Sequence, residues 1–164
     1  MNTLGNCRIS TTEDKGIPVK LSSLPTIGAP FEGGFYGGVV RVADKLFAIA
    51  WGAVGTYAGL SRGEDGQPDG HLVLLDAVPE EELKWADAVE WAEGLGDGAR
   101  LPTRLESALL YANLRDKFDT GCWYWTGTQY SADNAWLQFF GYGYQDGCDK
   151  EDAGRARAVR RFPA

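Results

Sequence analysis

The sequence predicts a single α+β domain. Two amphipathic helical periods lie side by side in the middle of the chain, and short strand-like runs lie before and after them. The two kinds of segment fall in separate blocks instead of alternating, which separates α+β from α/β. At 164 residues the chain is long enough for one domain with a real core and short for two.

The elements follow in order. Residues 1–30 are polar, centred on Thr11-Thr12-Glu13-Asp14-Lys15-Gly16, and read as an arm or lead-in to a domain over 31–164. Gly33-Gly34-Phe35-Tyr36-Gly37-Gly38 is a turn-rich aromatic stretch. Runs 39–42 and 46–51 read as strands joined by a turn at 43–45, 63–70 as a loop, and 71–76 as a short buried strand. Residues 83–95 form a helix with Trp85, Ala88, Val89 and Ala92 on one face, stopped by Gly94 and Gly96. A second helix opens at Thr103, because Thr103-Arg104-Leu105-Glu106 is a capping box. Its expected core stripe is Leu105, Ala108, Leu109 and Ala112. Residues 122–129, 135–140 and 155–162 read as three strands separated by loops rich in Gly, Asp and Tyr.

Charge and composition exclude several functions. A net charge of −7 argues against binding a nucleic-acid backbone, which needs excess Lys and Arg. The longest apolar stretch, 46–60, falls short of the ~20 residues that span a bilayer, so no membrane insertion is expected. The first thirty residues lack a basic start and an apolar run, so the expectation is a protein made in the cytoplasm without a signal peptide.

Motifs for catalysis and cofactors are sparse. His71 is the single histidine and has no nucleophile signature near it; a strand-edge histidine is the favoured reading. No phosphate-cradling glycine motif occurs, and no cofactor is expected. Cys7, Cys122 and Cys148 are an odd, widely spaced set, which favours reduced thiols over a Cys122–Cys148 bridge. Asp146, Asp149, Glu151 and Asp152 form an acidic cluster; calcium is one reading, and a solvated loop or pairing with arginines is the favoured one. Arg155, Arg157, Arg160 and Arg161 read either as an anion site or, preferably, as partners of that acidic loop.

The richest stretch is 123–144, where nine of the chain's twenty aromatic residues fall within 22 positions. Trp123, Trp125 and Trp136 stand in strand-like segments, whereas Tyr130, Tyr142 and Tyr144 stand among Gly, Asp and Asn. Rigid aromatics on loops beside small polar residues have the composition of a binding surface. A loop-rich core accounts for the same composition equally well.

Trp123-Tyr124-Trp125-Thr126-Gly127-Thr128-Gln129-Tyr130-Ser131, then Asn134-Ala135-Trp136, then Arg155-Ala156-Arg157-Ala158-Val159-Arg160-Arg161-Phe162 resemble a phage and bacterial family that shares its domain with the C-terminus of the Lcl adhesin. Ala99-Arg100-Leu101-Pro102-Thr103-Arg104-Leu105-Glu106 resembles that family's helix start. Variable proteins of diversity-generating retroelements, including the phage major tropism determinant, look like distant relatives. The likeness runs from about Phe31 to Phe162 and is specific in the last third.

The resemblance implies a C-type-lectin-like fold: two helices, short antiparallel sheets and a long, loop-rich C-terminal ligand segment. Carried over by position, the framework is Trp123, Trp125, Ser131, Ala135, Trp136, Phe140, Gly143, Lys150, Arg155 and Arg157. The ligand-binding positions it implies are Tyr130, Asp133, Asn134, Leu137, Phe139, Tyr142, Tyr144, Gln145, Asp146 and Asp149, exposed by strand alternation. Gly147, Cys148, Ala153 and Gly154 depart from the large polar side chains of diversified loops, and the calcium-dependent sugar motif of animal lectins is absent.

Three functions are weighed. The first is a non-enzymatic phage virion module, on the tail or particle exterior, that binds a bacterial surface protein or glycan and assembles as a homo-oligomer such as a trimer. The second is a virion assembly or decoration protein whose partner is another virion protein. The third is an oxidase like the formylglycine-generating enzymes, which share the fold and use a cysteine pair; Cys122 and Cys148 keep it in view.

Overall fold

The computed structural model describes residues 27–28, 30–33, 39–42, 45–48 and 53–163, with side chains over 55–162 and at Ile27. Cys7, most of the arm and the aromatic stretch 34–38 lie outside the described residues.

The fold is α+β. Strands β1 (Pro30–Gly33), β4 (Ala53–Ser61), β5 (Gly70–Leu75) and β9 (Val159–Pro163) form a four-stranded antiparallel sheet in the order β1-β4-β5-β9. Strands β2 (Val39–Val42) and β3 (Lys45–Ala48) form the expected hairpin. Helices α1 (Trp85–Gly94) and α2 (Arg104–Leu114) follow β5. Strands β6 (Trp123–Gln129), β7 (Asn134–Phe139) and β8 (Gln145–Asp149) form a three-stranded antiparallel sheet.

Two clusters make the core. Tyr57, Val73, Ala88, Ala92, Leu101, Trp125, Ala135 and Leu137 unite the main sheet, α1 and the small sheet. Leu72, Leu74, Leu110, Leu114, Phe118, Tyr124, Phe140 and Val159 unite the other face of the main sheet with α2. Alternation along β5 explains the split: Val73 faces one cluster and Leu72 and Leu74 the other. Being covered on both sides, β5 is buried throughout.

Several expectations change. The α1 face is as expected, with Ala88 and Ala92 buried. The α2 stripe is rotated. Leu105, Ala108 and Ala112 are exposed and Leu109 is half-buried, while Glu106, Ser107, Leu110 and Leu114 face inward. The reason is Glu106. Its carboxylate is buried and receives two hydrogen bonds from Arg100, at 2.6 and 2.8 Å, and one from the Thr103 amide at 2.8 Å. Leu110 and Leu114 follow at four-residue steps, so the ion pair decides which side of the helix meets the sheet.

His71 is not at a strand edge. It lies buried on β5, between β4 and β9, with Nδ1 2.8 Å from the Tyr57 hydroxyl, and burial holds its pKa below the usual value. Strand β8 lies in a segment expected to be loop, because Gly147 and two Asp residues hide its pattern. Strand β4 was missed within the apolar stretch before 61. Of residues 155–158 only Arg155 makes a β-bridge, to Tyr124, and β9 starts only at Val159.

Within β7 the expected alternation is inverted at two positions. Leu137, expected on the surface, is buried at 6% exposure, and Trp136, expected in the framework core, is half-buried on the opposite face. Leu137 pairs with Trp125, whose indole Nε1 donates to the Leu83 carbonyl at 2.8 Å, so that face belongs to the core. Leu137→Ala should therefore cost about 2–5 kcal/mol, and Trp136→Ala less than Leu137→Ala. Thermal melts of the two variants check this; a larger loss for Trp136→Ala would reverse the assignment of faces. Glu106→Ala leaves Arg100 unpaired at the core edge and should cost on the order of 3 kcal/mol, measured by urea unfolding.

Candidate ligand face

The small sheet outruns the core at one end. Trp123 on β6 and Phe139 on β7 are cross-strand partners with ring centroids 5.1 Å apart. They lie on the same face as Trp125 and Leu137, but beyond them. Phe139 touches Tyr142 at 6.0 Å, and Tyr142 touches Tyr144 at 6.0 Å. Four aromatic rings thus form one row. Tyr142 is 75% exposed and Tyr144 64%, whereas Phe139 is half-buried beneath them.

The β7–β8 turn fixes this row. The Gly143 amide donates to the Phe139 carbonyl at 3.0 Å, and the Phe139 amide to the Tyr144 carbonyl at 2.8 Å. Gly143 has φ of 79°, and a Cβ there would sit 2.7 Å from the Tyr111 ring of α2. Only glycine combines that left-handed backbone with that close approach. Arg115 anchors the same turn by donating to the carbonyls of Phe140 and Gly141.

A second aromatic group lies on the other face of β7. The Arg104 guanidinium lies over the Trp136 ring, 3.7 Å from its centroid, and Tyr130 meets Trp136 edge-on at 4.9 Å. Tyr130 also covers Gly147, where a Cβ would come 3.0 Å from its ring. Gln145 joins strand to helix: it accepts from Arg104 Nε at 2.7 Å and donates to the Arg104 carbonyl and to Gln138 Oε1, each at 2.8 Å.

Most of the positions expected at the ligand face lie at or near the surface of this sheet. Tyr130, Asp133, Tyr142, Tyr144, Asp146 and Asp149 are exposed, and Asn134, Phe139 and Gln145 are half-buried. Leu137 is not among them, being core. Asp146 accepts from the Gly147 amide and Asp149 from the Glu151 amide, so both carboxylates shape the strand and its turn. Asn134 bonds Ser131 Oγ and closes the β6–β7 turn, where Lys150 Nζ binds the carbonyls of Ser131 and Ala132 and the Gln129 side chain. Trp123, expected as buried framework, stands at the surface with 37% exposure. Arg104 and Trp136 were not expected at the site. Their stack joins a helix start to a distant strand, a pairing that no local periodicity reveals.

The arginine run is structural, with partners other than those expected. Arg155 pairs with Asp119 at 3.2 Å and Glu82 at 3.7 Å. Arg157 binds the carbonyls of Lys117 and Leu75, Arg160 that of Gly96, and Arg161 those of Pro68 and Ser61. In the acidic loop, Glu151 pairs instead with Lys84 at 2.7 Å and Asp152 accepts from the Cys148 thiol. One cleft is lined by Val78, Pro79, Glu82, Lys117, Arg155 and Arg157; Arg155 pairs there with carboxylates and both Arg157 Nη groups with carbonyls, while the buried Arg157 Nε has no hydrogen-bond partner among the described residues. Among the described residues no group of three or more His, Cys, Asp or Glu side chains is placed to hold a metal. Nor is any described helix long and apolar enough to cross a membrane.

The chain matches no protein-family model and no curated protein. The site is therefore read from its own geometry.

Cys122 and Cys148 are free thiols. Burial, then hydrogen bonding to Asp119, raises the Cys122 pKa, and burial, then Asp152, raises that of Cys148. A nucleophilic thiol needs the opposite shift. Both should alkylate with iodoacetamide more slowly than free cysteine at neutral pH, with rates climbing only above the usual thiol pKa. Mass mapping of the labelled peptides against pH checks this; fast labelling of either thiol at pH 7 would reveal an activated thiolate.

Proposed function

We propose that this chain is a non-enzymatic binding module of a phage virion with a C-type-lectin-like fold. It docks on a bacterial surface ligand through the aromatic end of the β6–β7–β8 sheet. The observation that carries the reading is the row Trp123–Phe139–Tyr142–Tyr144, four rings in mutual contact with two of them largely in solvent. Water-exposed rings lose little on being covered by a ligand, and tyrosine offers large contact area at low entropy cost. Two helices packed beside small antiparallel sheets, with β9 returning to pair with β5, fit the lectin-like architecture that the sequence resemblance implies. Raised thiol pKa values favour binding over catalysis, and a net charge of −7 disfavours nucleic-acid contact.

One observation favours a second reading, a virion assembly or decoration protein. Leu105, Ala108 and Ala112 give α2 an exposed apolar stripe, with Leu105 at 57% exposure, and such a stripe suits another virion protein.

The Tyr142→Ala/Tyr144→Ala double variant separates the two. Stability should stay within about 1 kcal/mol of the parent, as at surface sites. Adsorption of the protein, or of its parent particle, to bacterial cells should weaken by more than ~2 kcal/mol. Unimpaired adsorption by a fully stable double variant would discard the aromatic row as the receptor contact and put assembly first.

A further inference from the structure

We propose that Arg104, held between Trp136 and Gln145, is a subsite for an acidic group: a carboxylate or phosphate on a surface polysaccharide whose sugar rings lie against the exposed Tyr130. The proposal rests on the reading of this sheet as a ligand face.

Arg104 is fixed at every level. Its amide donates to Thr128 Oγ1 at 2.9 Å, which sets the helix start against β6. Its Nε donates to Gln145 Oε1 at 2.7 Å, and Gln145 is held in turn by Gln138. Its guanidinium plane rests on the Trp136 indole at 3.7 Å. Stem, plane and one edge are therefore set before any ligand arrives. The two Nη groups enter no hydrogen bond and no ion pair among the described residues, and the side chain is exposed.

That free end is a planar fork of N–H donors, which matches the two oxygens of a carboxylate or phosphate. Other arginines of the fold are used differently. Arg100 is spent on Glu106, Arg115 on the Phe140 and Gly141 carbonyls, and Arg155 on Asp119 and Glu82. With 23 Asp and Glu in the chain, carboxylates are not scarce, yet none lies within ion-pair distance of Arg104 among the described residues. A guanidinium stacked on indole is also more weakly hydrated than an ammonium, so covering it with a ligand costs less.

A saccharide fits the surroundings better than a peptide strand. Tyr130, an exposed ring, meets Trp136 edge-on on the face where Arg104 rests, so an open aromatic surface adjoins the acid subsite. The C–H faces of sugar rings lie flat on exposed tyrosine rings, and the acid substituent reaches the fork. The chain's net charge of −7 disfavours a dense polyanion, which favours a ligand with widely spaced acid groups.

The test is affinity electrophoresis of the whole chain through gels holding a sparsely oxidised, carboxylate-bearing dextran, a sparsely phosphorylated dextran, or plain dextran. The two acidic gels distinguish the source of the anion. The parent protein should be retarded by at least one acidic polymer, with plain dextran roughly tenfold weaker or more. Arg104→Gln should bring the acidic polymer down to the dextran level. Arg104→Lys keeps the charge without the fork and should recover only part of the difference, which separates fork recognition from bulk charge. Both variants should melt within about two degrees of the parent, and the Lys variant carries the comparison if the Gln variant is less stable. Equal retardation by acidic and plain dextran, no retardation by either acidic polymer, or an Arg104→Gln variant that binds like the parent would overturn the acid subsite. The ligand-face reading then still stands if the double tyrosine variant loses adsorption to cells. If that variant keeps adsorption while Arg104→Gln loses the acidic polymer, the subsite stands and the aromatic row falls.

Discussion

The buried Arg100–Glu106 pair is the contact on which the arrangement of the rest depends. Glu106 is 1% exposed and Arg100 one-third exposed, so the carboxylate is stable only with all its partners in place. The segment that holds it touches every layer. Arg100 exchanges backbone hydrogen bonds with Val159 of β9, and the Pro102 carbonyl receives the Gly127 amide of β6. Thr103 accepts from the Glu106 amide and donates to Glu64 in the β4–β5 loop. The Glu106 carboxylate accepts from the Thr103 amide, so the capping box and the ion pair share one group. Seven consecutive residues, 100–106, thus join the main sheet, the small sheet, the loop and α2. Two separate sheets with no shared strand need such a joint, because the hydrophobic clusters alone specify contact and not orientation.

Orientation is what creates the candidate face. With α2 fixed by Glu106, its first residue, Arg104, lands over Trp136, and its third turn places Tyr111 beneath Gly143. The small sheet is then covered on one face by α2 and on the other by the cluster around Trp125. Gly154 permits that second contact: a Cβ there would lie 2.8 Å from the Trp125 indole nitrogen. Only the end of the sheet beyond Trp125 and Leu137 lacks a cover, and there the row from Trp123 to Tyr144 emerges. The same covering explains why neither face of β7 is cleanly polar: Gln138, on the Trp136 side, is buried at 1% exposure and spends its amide on the Phe139 and Tyr144 carbonyls.

Local signals in the sequence match the structure, and features set by distant contacts do not. The capping box at Thr103, the α1 face, the β2–β3 hairpin and the exposure of Tyr142 and Tyr144 depend on neighbours close in sequence, and each could be read there. The α2 stripe failed because Leu105, Ala108, Leu109 and Ala112 have the right period and the wrong phase. The phase is set by a charged residue that apolar counting ignores. Leu137 and Trp136 failed for a related reason. Position in a two-sided strand does not say which side is covered more deeply, and the framework carried over from the resembled family put Trp136 in the core. Strand β8 was hidden because its ladder is backbone, with Gly147 opposite Trp136 and Cys148 opposite Ala135, while its side chains read as loop. The Arg104–Trp136 stack needed the fold itself, since its two members meet only after α2 and β7 are assembled.

What the face offers a ligand follows from how little of it must move. Gly143 and its hydrogen bonds fix the turn between Phe139 and Tyr144, Arg115 clamps the carbonyls behind it, and Phe139 supports Tyr142 from below. On the other face Gln145 and Trp136 hold Arg104. Ordering loops and long side chains on binding costs about 0.5–1.5 kcal/mol for each one immobilised, and here the fold has already met most of that cost. A single shallow patch of a few tyrosines still yields modest affinity, because its area is small and open to water. Several copies presented together would convert modest contacts into firm attachment, since each further contact forms at high effective concentration. On the proposed reading as a particle-borne binding module, a preorganised, shallow, aromatic surface suits reversible searching by one copy and retention by many, the behaviour such a particle needs when it samples a cell surface before committing to it.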